Sequence, residues 1–447
     1  MPLEAVVLSS SYLLHLVAVL LNCGIVLTVT ALWLDSRRRN NPFQSPAGCR
    51  RLGLEEGTSN LADQYDPRYA RARPQVAWPD SRLVATVKAL CIYPVKSCYP
   101  VELSRGEVVR TGMQYDRQFT FAQLTSSVAQ DASCGITHQW NFITQRQAPC
   151  LTKVKTEVWV PDPASPTYSS DAEYVKSGGC IVVKFPYTDD KLWLMESLER
   201  LGAKIRATFL PANNASLDVS FRIPIWPTPE RIKSYPIEKM KIWNEMPDAL
   251  NMGNEIPDDV LAKLKYSLGI SNPLTLFRTH PDRCREVFRC APRKEDVGYQ
   301  PVVGMADAYP LHIMSLSSVH DVAKHLPKDY SCKLDAIRYR ANIYISGSEA
   351  YDEDQWKRIR IGSQDFHVSC RTARCLLPNV NPLTGERDKN QPYSAMSAYR
   401  KIDRGAWRYP CLGMQMVPVS GEPGEIRVGD EVMVLEVGDH HYIPQGT

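Results

Sequence analysis

An apolar run near the N-terminus constrains this 447-residue chain more than any other feature. Residues 5–34 read AVVLSSSYLLHLVAVLLNCGIVLTVTALWL and include no charged residue. About 20 apolar residues are enough to cross a bilayer, so the run is long enough for a transmembrane helix. Three arginines follow it at residues 37–39, whereas a signal peptide carries its positive charge before a shorter apolar core. We therefore expect residues 1–36 to form a single membrane anchor whose C-terminal side faces the cytosol.

The segment after this run predicts a tether. Residues 37–81 are rich in charge, Pro, Gly and Asn and poor in apolar side chains. Such a composition cannot bury a core, so we expect the segment to be extended or disordered.

From residue 82 onward, short strand patterns dominate. VATVKALCIYPV, RQFTFAQ, LTKVKTEVWV and GGCIVVKFPY in the first half, and FHVSC, MQMVPV and EVMVLEV in the second, are β-branched and partly alternating. Helical spacing is found at residues 190–203, at residues 257–269, which end on Gly269, and after the strand-like LHIMS. The Ser-Leu-Ser-Ser stretch from Ser315 offers N-cap candidates for the last of these helices. The predicted class is α+β and β-rich, with a β-barrel-like domain over residues 82–275 and a second domain over residues 276–447.

Composition excludes several classes of protein. A formal net charge of +4 and the lack of a Lys/Arg run with interleaved aromatic residues argue against nucleic-acid binding. The 13 cysteines are odd in number and widely spaced, which argues against a secreted disulfide scaffold. No CxxC pair is present, so a zinc ribbon is not expected.

Three stretches combine residues that an ordinary core strand does not need. They are Tyr93–Cys98 with Asp116-Arg117 further on, Tyr339–Asn342, and Arg371–Cys375. In the second stretch we expect Arg340 and Asn342 to share one face of a strand. One interpretation is a strand with a solvated face. The other is a site for a phosphate-bearing ligand, because Arg binds phosphate through a planar fork and Lys adds a point charge. Arginines beside Cys375 favour its thiolate, which suits a soft metal that a cofactor's own sulfurs already hold.

These stretches resemble the MOSC family, and within it the amidoxime-reducing components. The chain contains IYPVKSC, DR at 116–117, TQRQAP from Thr144, RAN from Arg340, RC at 374–375, VNPLTG and GEIRVGDEV, in the order that the family has them. Three details depart from the family pattern. RAN replaces RPN, VNP replaces VDP so that Asn381 stands for a carboxylate, and the spacing from Cys370 to Cys375 is longer, which leaves the role of Cys370 open.

The resemblance implies a MOSC N-terminal β-barrel-like domain followed by a MOSC domain, with a molybdenum cofactor (Mo-molybdopterin) between them. Cys375 would be the catalytic residue and the molybdenum ligand. The cofactor-binding residues that the resemblance implies are Lys96, Ser97, Arg117, Asp307, Ser315, Arg340, Asn342 and Arg374.

Family enzymes of this kind reduce N-hydroxylated compounds by oxygen-atom transfer, with electrons from NADH through a b-type cytochrome and its reductase. They are anchored in the outer mitochondrial membrane, although the endoplasmic reticulum also fits the charge pattern. One alternative is a non-catalytic protein that binds the cofactor or transfers sulfur. Full sulfurases carry a pyridoxal-phosphate domain before the MOSC part, where this chain has its apolar run. A further alternative is a membrane-tethered module whose site has decayed. Turnover with a reduced cytochrome would separate the first function from the other two.

Overall fold

The computed structural model describes residues 3–39, 45–72, 76–78, 81–128, 135–187, 197–198, 201–202, 218–330 and 333–443. The chain divides into two compact units. The first comprises Met1–Ser45 and Pro186–Val219, and the second comprises Pro46–Phe185 and Ser220–Thr447.

The first unit contains a long apolar helix, α1 (Leu3–Arg39). Its window from His15 to Leu32 is almost fully exposed and is apolar and long enough to cross a membrane. The Asn22 amide and the Thr28 hydroxyl each donate to the carbonyl four residues earlier, both at 2.8 Å, so their polar atoms are satisfied within the helix. The predicted apolar helix is confirmed. Residues 190–203, where a second helix was predicted, lie outside the described residues except for 197–198 and 201–202, which are helical.

The second unit carries the remaining named elements. Its helices are α2 (Glu173–Lys176), α3 (Pro229–Ile232), α4 (Asp258–Leu268), α5 (Lys294–Val297), α6 (Leu316–Lys324) and α7 (Tyr393–Tyr399). Its strands are β1 (Cys49–Leu52), β2 (Val76–Trp78), β3 (Ser81–Ile92), β4 (Val101–Leu103), β5 (Arg105–Val109), β6 (Gly112–Met113), β7 (Phe119–Val128), β8 (Ile136–Phe142), β9 (Lys155–Pro161), β10 (Cys180–Pro186), β11 (Asp218–Pro224), β12 (Ile237–Lys241), β13 (Asp248–Asn251), β14 (Leu274–Thr279), β15 (Arg285–Glu286), β16 (Val302–Val303), β17 (Leu311–Ser315), β18 (Ile343–Ser346), β19 (Trp356–Ile361), β20 (Gln364–Ala373), β21 (Cys411–Pro418), β22 (Gly424–Arg427) and β23 (Glu431–Val437).

A barrel of seven strands forms the larger sheet. Its order is β3, β18, β17, β21, β20, β19 and β23, and β23 pairs back to β3 to close it. All of these pairs are antiparallel except β17 with β18. The long strand β3 therefore joins the first half of the chain to strands from its last third, which no local pattern could indicate.

A second, smaller barrel is closed by β12, β13, β14, β7 and β8. Its strands contribute buried side chains such as Phe121, Met240 and Phe277. The β-rich fold with a barrel in the first half of the chain is thus confirmed. The domain boundary predicted between residues 275 and 276 falls inside β14.

Residues 45–72 differ from the sequence prediction. We expected residues 37–81 to be a disordered tether, and for residues 45–72 this is wrong. β1 pairs along its whole length with β9, and Leu61 and Tyr69 are buried in a hydrophobic core. The segment has too few apolar residues to form a core of its own, but strand pairing with a distant part of the chain satisfies its backbone groups.

Two helix ends were indicated by the sequence. α4 ends at Gly269, whose left-handed φ of 68° suits glycine. α6 begins after Ser315, but the Ser315 hydroxyl does not cap it. Glu353 lies at this helix end, where one of its carboxyl oxygens accepts from the Ser318 hydroxyl at 2.7 Å and from the Ser315 N–H at 3.4 Å.

Candidate functional site

A cavity of about 490 Å³ in the second unit brings the predicted residues together. Loops at the ends of β3, β16 and β20 supply most of them. The predicted residues that line the cavity are Lys96, Ser97, Arg117, Asp307, Arg340, Asn342, Arg374 and Cys375. The polar and aromatic residues that also line it include Thr144, Arg146, Trp243, His312, Tyr339, Arg371, Thr372, Tyr409 and Tyr442.

Backbone strain is concentrated around this cavity. Six non-glycine residues in the described ranges have left-handed φ, and four of them line the cavity. These are Ser97 at 68°, Arg117 at 46°, Trp243 at 55° and Arg340 at 55°. Such a conformation costs about 1–3 kcal/mol per residue and persists where the surrounding structure imposes it, which is typical of functional sites.

Lys96 is buried at one side of the cavity. Its ammonium donates to the Met305 carbonyl at 2.7 Å and to Asp307 at 2.6 Å. Burial lowers the pKa of Lys96 to about 8, although Asp307 opposes the shift. Partial burial acts to raise the pKa of Asp307, but Lys96 and Arg146 outweigh it and hold that pKa well below its usual range. The Trp243 indole also donates to Asp307, at 3.1 Å.

Arg117 and Asn342 form a linked pair. The Arg117 guanidinium donates to Asp116 at 2.5 Å, to the Asn342 side-chain oxygen at 3.2 Å and to the Arg340 carbonyl at 2.9 Å. The Asn342 amide nitrogen donates to the Cys91 carbonyl at 3.1 Å. Burial acts to lower the pKa of Arg117, but Asp116 outweighs it and the pKa is raised. Both predicted ligand-binding side chains therefore also hold the cavity wall together.

Arg340 does not lie on a strand as the sequence predicted. It ends a short 3-10 helix, Ala336–Tyr339, and Asn342 precedes β18, so the two side chains do not share a strand face. The left-handed backbone at Arg340 breaks the alternation that the sequence suggested. The guanidinium stacks 4.1 Å above the Tyr93 ring and donates to the Cys98 carbonyl at 2.8 Å. Burial lowers the pKa of Arg340.

Arg374 is fixed by neutral partners. It donates to the Leu412 carbonyl at 2.8 and 2.5 Å, to the Tyr339 carbonyl at 3.0 Å and to the His312 Nε2 at 2.6 Å. Burial lowers the pKa of Arg374 to about 10. Burial, together with Arg374 and Arg117, also holds the pKa of His312 well below its usual value, so His312 is neutral and accepts through Nε2.

Cys375 lies just beyond the end of β20 and is partly exposed to the cavity. Arg371, four residues earlier on β20, donates to Asp403 at 3.3 Å and to the His440 carbonyl at 3.0 Å. No cluster of three or more His, Cys, Asp or Glu side chains suited to a metal occurs within the described ranges. A metal here would thus bind one thiolate and the donor atoms of another ligand.

Several buried polar atoms of residues in the cavity lining have no hydrogen-bond partner among the described residues. They are the Nε of Arg146, one terminal nitrogen of Arg340, the Nε of Arg371, and the hydroxyls of Tyr339 and Thr372. Buried polar groups are normally paired, so this unpartnered set around one cavity indicates a ligand. Six Lys and Arg side chains against the single carboxylate of Asp307 in the lining favour an anion with several acceptors.

Ser315 is placed away from the cavity lining. It is fully buried at the end of β17, and its hydroxyl bonds the hydroxyls of Ser317 and Ser348 at 2.7 and 2.8 Å. Asn381 also lies outside the lining, where its side-chain oxygen accepts from the Leu383 N–H at 2.9 Å and caps a turn. The exchange of the family's Asp for Asn381 therefore alters a turn.

The other two departures also have structural settings. Ala341, where the family has Pro, donates its N–H to the Tyr344 hydroxyl at 3.1 Å, which a proline could not do. Cys370 is fully buried on β20 in a small core with Tyr309.

Sequence reasoning missed Arg146 and Trp243. The Arg146 guanidinium stacks 4.4 Å from the Trp243 ring, and together they form one wall of the cavity. Arg146 belongs to TQRQAP, which was noted only as a motif, so a signal existed. Trp243 carries no such signal, since nothing local places residue 243 beside residue 146.

Comparisons with known proteins agree with this architecture. Residues 84–172 match the MOSC N-terminal beta barrel domain, and residues 300–433 match the MOSC domain. The chain is 24% identical to human mitochondrial amidoxime-reducing component 1 over 375 residues, which cover 80% of this chain and 87% of the relative. The mouse protein of that name is 25% identical over 79% of this chain and 83% of its own length. A molybdenum cofactor sulfurase of Arabidopsis thaliana is 23% identical over 71% of this chain but only 31% of its own length. The chain is therefore a MOSC-domain protein, similar over most of its length to the amidoxime-reducing components.

Proposed function

We propose that this protein is a membrane-anchored molybdenum-cofactor oxidoreductase that reduces N-hydroxylated compounds. One observation carries the proposal: Arg146, Arg340 and Arg371, each with a buried N–H group that no described residue accepts from, line the same cavity as Cys375. Relatives named amidoxime-reducing components align over most of both chains, which supports the same reaction class.

The lining residues fit Mo-molybdopterin. Its phosphate and ring acceptors match the unpartnered donors of Arg340, Arg371 and Arg146. Cys375 would supply the thiolate that completes the metal's sulfur ligands. Lys96, Ser97, Arg117, Asn342 and Arg374 would hold the cofactor directly or through the wall that they build. When bound, the cofactor would supply the oxygen-atom transfer that breaks the N–O bond.

The chain's own residues would position the substrate and supply protons. Reducing one N-hydroxyl group to an amine takes two electrons and two protons and releases one water. Lys96 carries a proton at its Nζ at neutral pH, and its pKa of about 8 suits it to deliver that proton inside the cavity. Asp307 orients the ammonium at 2.6 Å, and the Trp243 indole in turn donates to Asp307 at 3.1 Å.

We further propose electron delivery from NADH through a b-type cytochrome and its reductase. α1 is long and apolar enough to anchor the protein, and the arginines that end it favour a cytosolic orientation. The relatives named mitochondrial support the outer mitochondrial membrane, with the endoplasmic reticulum as the other candidate. Protease treatment of intact mitochondria should degrade the folded part, whereas a protected protein would contradict this orientation.

A second candidate is a non-catalytic protein that binds the cofactor or transfers sulfur. The sulfurase relatives favour it, because they align with 71% of this chain. The alignment covers only 31% of that sulfurase, so the sulfurase activity as a whole does not carry over.

Full-length protein, produced in a host that makes the cofactor, tests both candidates. Molybdenum and pterin per chain are measured for the wild type, for Cys375→Ala and for the control Cys284→Ala, whose thiol lies outside the cavity lining. We expect stoichiometric metal in the wild type and the control, loss of metal in Cys375→Ala, and turnover of an amidoxime with a reduced cytochrome. Bound cofactor without turnover would favour the second candidate. A folded wild type with neither metal nor pterin would refute both.

A further inference from the structure

Exposed aromatic and aliphatic side chains occur on three segments, one of which reaches the cavity through Tyr409. Phe288, Trp407, Tyr409 and Ile443 are 64%, 63%, 48% and 40% exposed. Large apolar side chains exposed together are unusual on a soluble surface and mark contact sites for other proteins. We define the rim patch by its members, which are Phe288, Ile402, Arg404, Trp407, Arg408, Tyr409 and Ile443.

Three separate segments are joined to form the rim patch. The Cys290 thiol lies 3.4 Å from the His441 carbonyl and accepts from the Ile443 N–H at 3.4 Å, so residues 288–290 contact the C-terminal segment. The Tyr442 N–H donates to Asp403 at 3.0 Å, which joins that segment to residues 402–409. The three segments that carry the patch therefore contact one another.

The rim patch is also rigidly connected to the cavity. Tyr409 lines the cavity. The next residue, Pro410, accepts from the Arg374 N–H at 2.8 Å, and Arg374 precedes Cys375. Asp403, whose side chain is fully buried, receives a hydrogen bond from the cavity residue Arg371 at 3.3 Å. One hydrogen bond thus separates the backbone beside Tyr409 from the backbone beside Cys375.

Residues 401–410 contribute positive charge to the patch. Lys401, Arg404 and Arg408 are exposed, and the only acidic residue among residues 401–410 is the buried Asp403. Within the described parts of the chain, none of these three cations forms a salt bridge, while the Arg408 guanidinium stacks 4.7 Å from the Trp407 ring. Exposed Trp, Tyr and Arg are the residues that most often dominate binding energy at protein interfaces.

We infer that the rim patch is the docking surface for the protein that delivers electrons to this site. The partner is a small redox protein that carries acidic side chains around its redox group. Opposite charges would steer the encounter, and Trp407 and Tyr409 would supply the central contact. The inference rests on the proposed function. Each turnover would oxidise two reduced partner molecules by one electron each, while the N-hydroxyl group takes up two electrons and two protons and releases water.

Comparing two electron sources distinguishes an effect on partner docking from an effect on the reduction of the substrate. A b-type cytochrome kept reduced by NADH and its reductase must dock, whereas reduced methyl viologen is small enough to reach the site without docking. Amidoxime reduction by the full-length holoprotein is measured with each source for the wild type, for R404E/R408E and for Trp407→Ala. The control R105E/K233E reverses two exposed cations on β5 and just after α3, outside the three segments of the patch.

We expect R404E/R408E to raise the KM for the cytochrome by at least about tenfold, because like charges would then face each other. Trp407→Ala should raise the KM for the cytochrome by a smaller factor. The control R105E/K233E should have the same KM as the wild type. Turnover with reduced methyl viologen should stay unchanged in all variants, as should molybdenum content.

Three results would overturn the inference. They are an unchanged KM for the cytochrome in both patch variants, an equal loss of turnover with viologen and cytochrome, and a loss that only R105E/K233E shows. Unchanged kinetics with weaker binding to phosphatidylserine vesicles would assign the patch to a membrane surface instead. If the wild type turns over with neither electron source, the proposed function itself fails.

Discussion

The cavity lining holds its buried cations in two different ways. Arg117 and Lys96 each lie against a carboxylate, Asp116 at 2.5 Å and Asp307 at 2.6 Å. Arg340 and Arg374 are held by carbonyl oxygens and, for Arg374, by neutral His312. We refer to the first pair with its partners as the acid-paired side of the lining, and to the second pair with its partners as the carbonyl-paired side.

The difference between the two sides appears in the pKa values of their arginines. Burial lowers the pKa of Arg374 to about 10, since no carboxylate compensates for it. On the acid-paired side, Asp116 outweighs burial and the pKa of Arg117 is raised. A buried cation without a counter-ion is costly unless an anion binds beside it. The carbonyl-paired side is therefore the one that an anionic ligand would stabilise most.

The largest expected effect comes from Arg374→Met. This change removes the donors of two buried carbonyls and of the His312 imidazole, and each unsatisfied buried group costs about 1–3 kcal/mol. We expect the cofactor-free protein to lose about 3 kcal/mol or more of unfolding free energy, measured by urea denaturation. Arg360→Met, at an exposed position on β19, is the control and should lose much less unfolding free energy. Equal losses would mean that Arg374 does not hold the wall.

A smaller effect on stability but a large one on the ligand is expected for Arg340→Met. One terminal nitrogen of Arg340 has no protein partner, so the side chain has binding capacity to spare. A hydrogen bond to a charged group contributes about 1.5–3 kcal/mol, which corresponds to roughly a tenfold to hundredfold loss of affinity for the pterin. The amount of pterin that each chain retains after dialysis measures this loss of affinity. Undiminished pterin in this variant would contradict the assignment of the anion to the carbonyl-paired side.

The same comparison indicates what sequence can supply. Lys96, Arg117 and Cys375 stand in short motifs, and their convergence follows once β3 and β20 are known to share a barrel. The partners that distinguish the two sides are far apart in the chain, such as Asp307 for Lys96 and Leu412 for Arg374. No spacing rule links them.

The sequence predictions that were wrong also failed because they depended on partners far apart in the chain. Ser315 looked like a site residue and a helix cap, but its hydroxyl bonds the hydroxyls of Ser317 and the distant Ser348 instead. Residues 45–72 looked too polar to fold, but β9 was available as a partner for β1. Local pattern predicted the type of element well, as at Gly269, because helix ends are encoded locally. Which elements and side chains pair with each other depended on contacts between distant parts of the chain.

The smallest expected effect tests the acid-paired side through pH. The pKa of Lys96 is about 8 in the folded protein, against about 10.4 in an unfolded chain. Between these values the unfolded state binds more protons, so the unfolding free energy of the wild type should rise with pH. Lys96→Met removes this dependence. Relative to the variant, the cofactor-free wild type should gain about 2 kcal/mol of unfolding free energy between pH 7 and pH 9.5.

Urea denaturation at the two pH values measures this gain, with Lys233→Met on the exposed surface as the control, which should show no such change. A constant difference between wild type and Lys96→Met would mean that Asp307 compensates fully for the burial of Lys96. The ammonium would then keep its proton throughout this range. Lys96 would be a fixed counter-ion of Asp307, and the protons for the reaction would have to come from solvent.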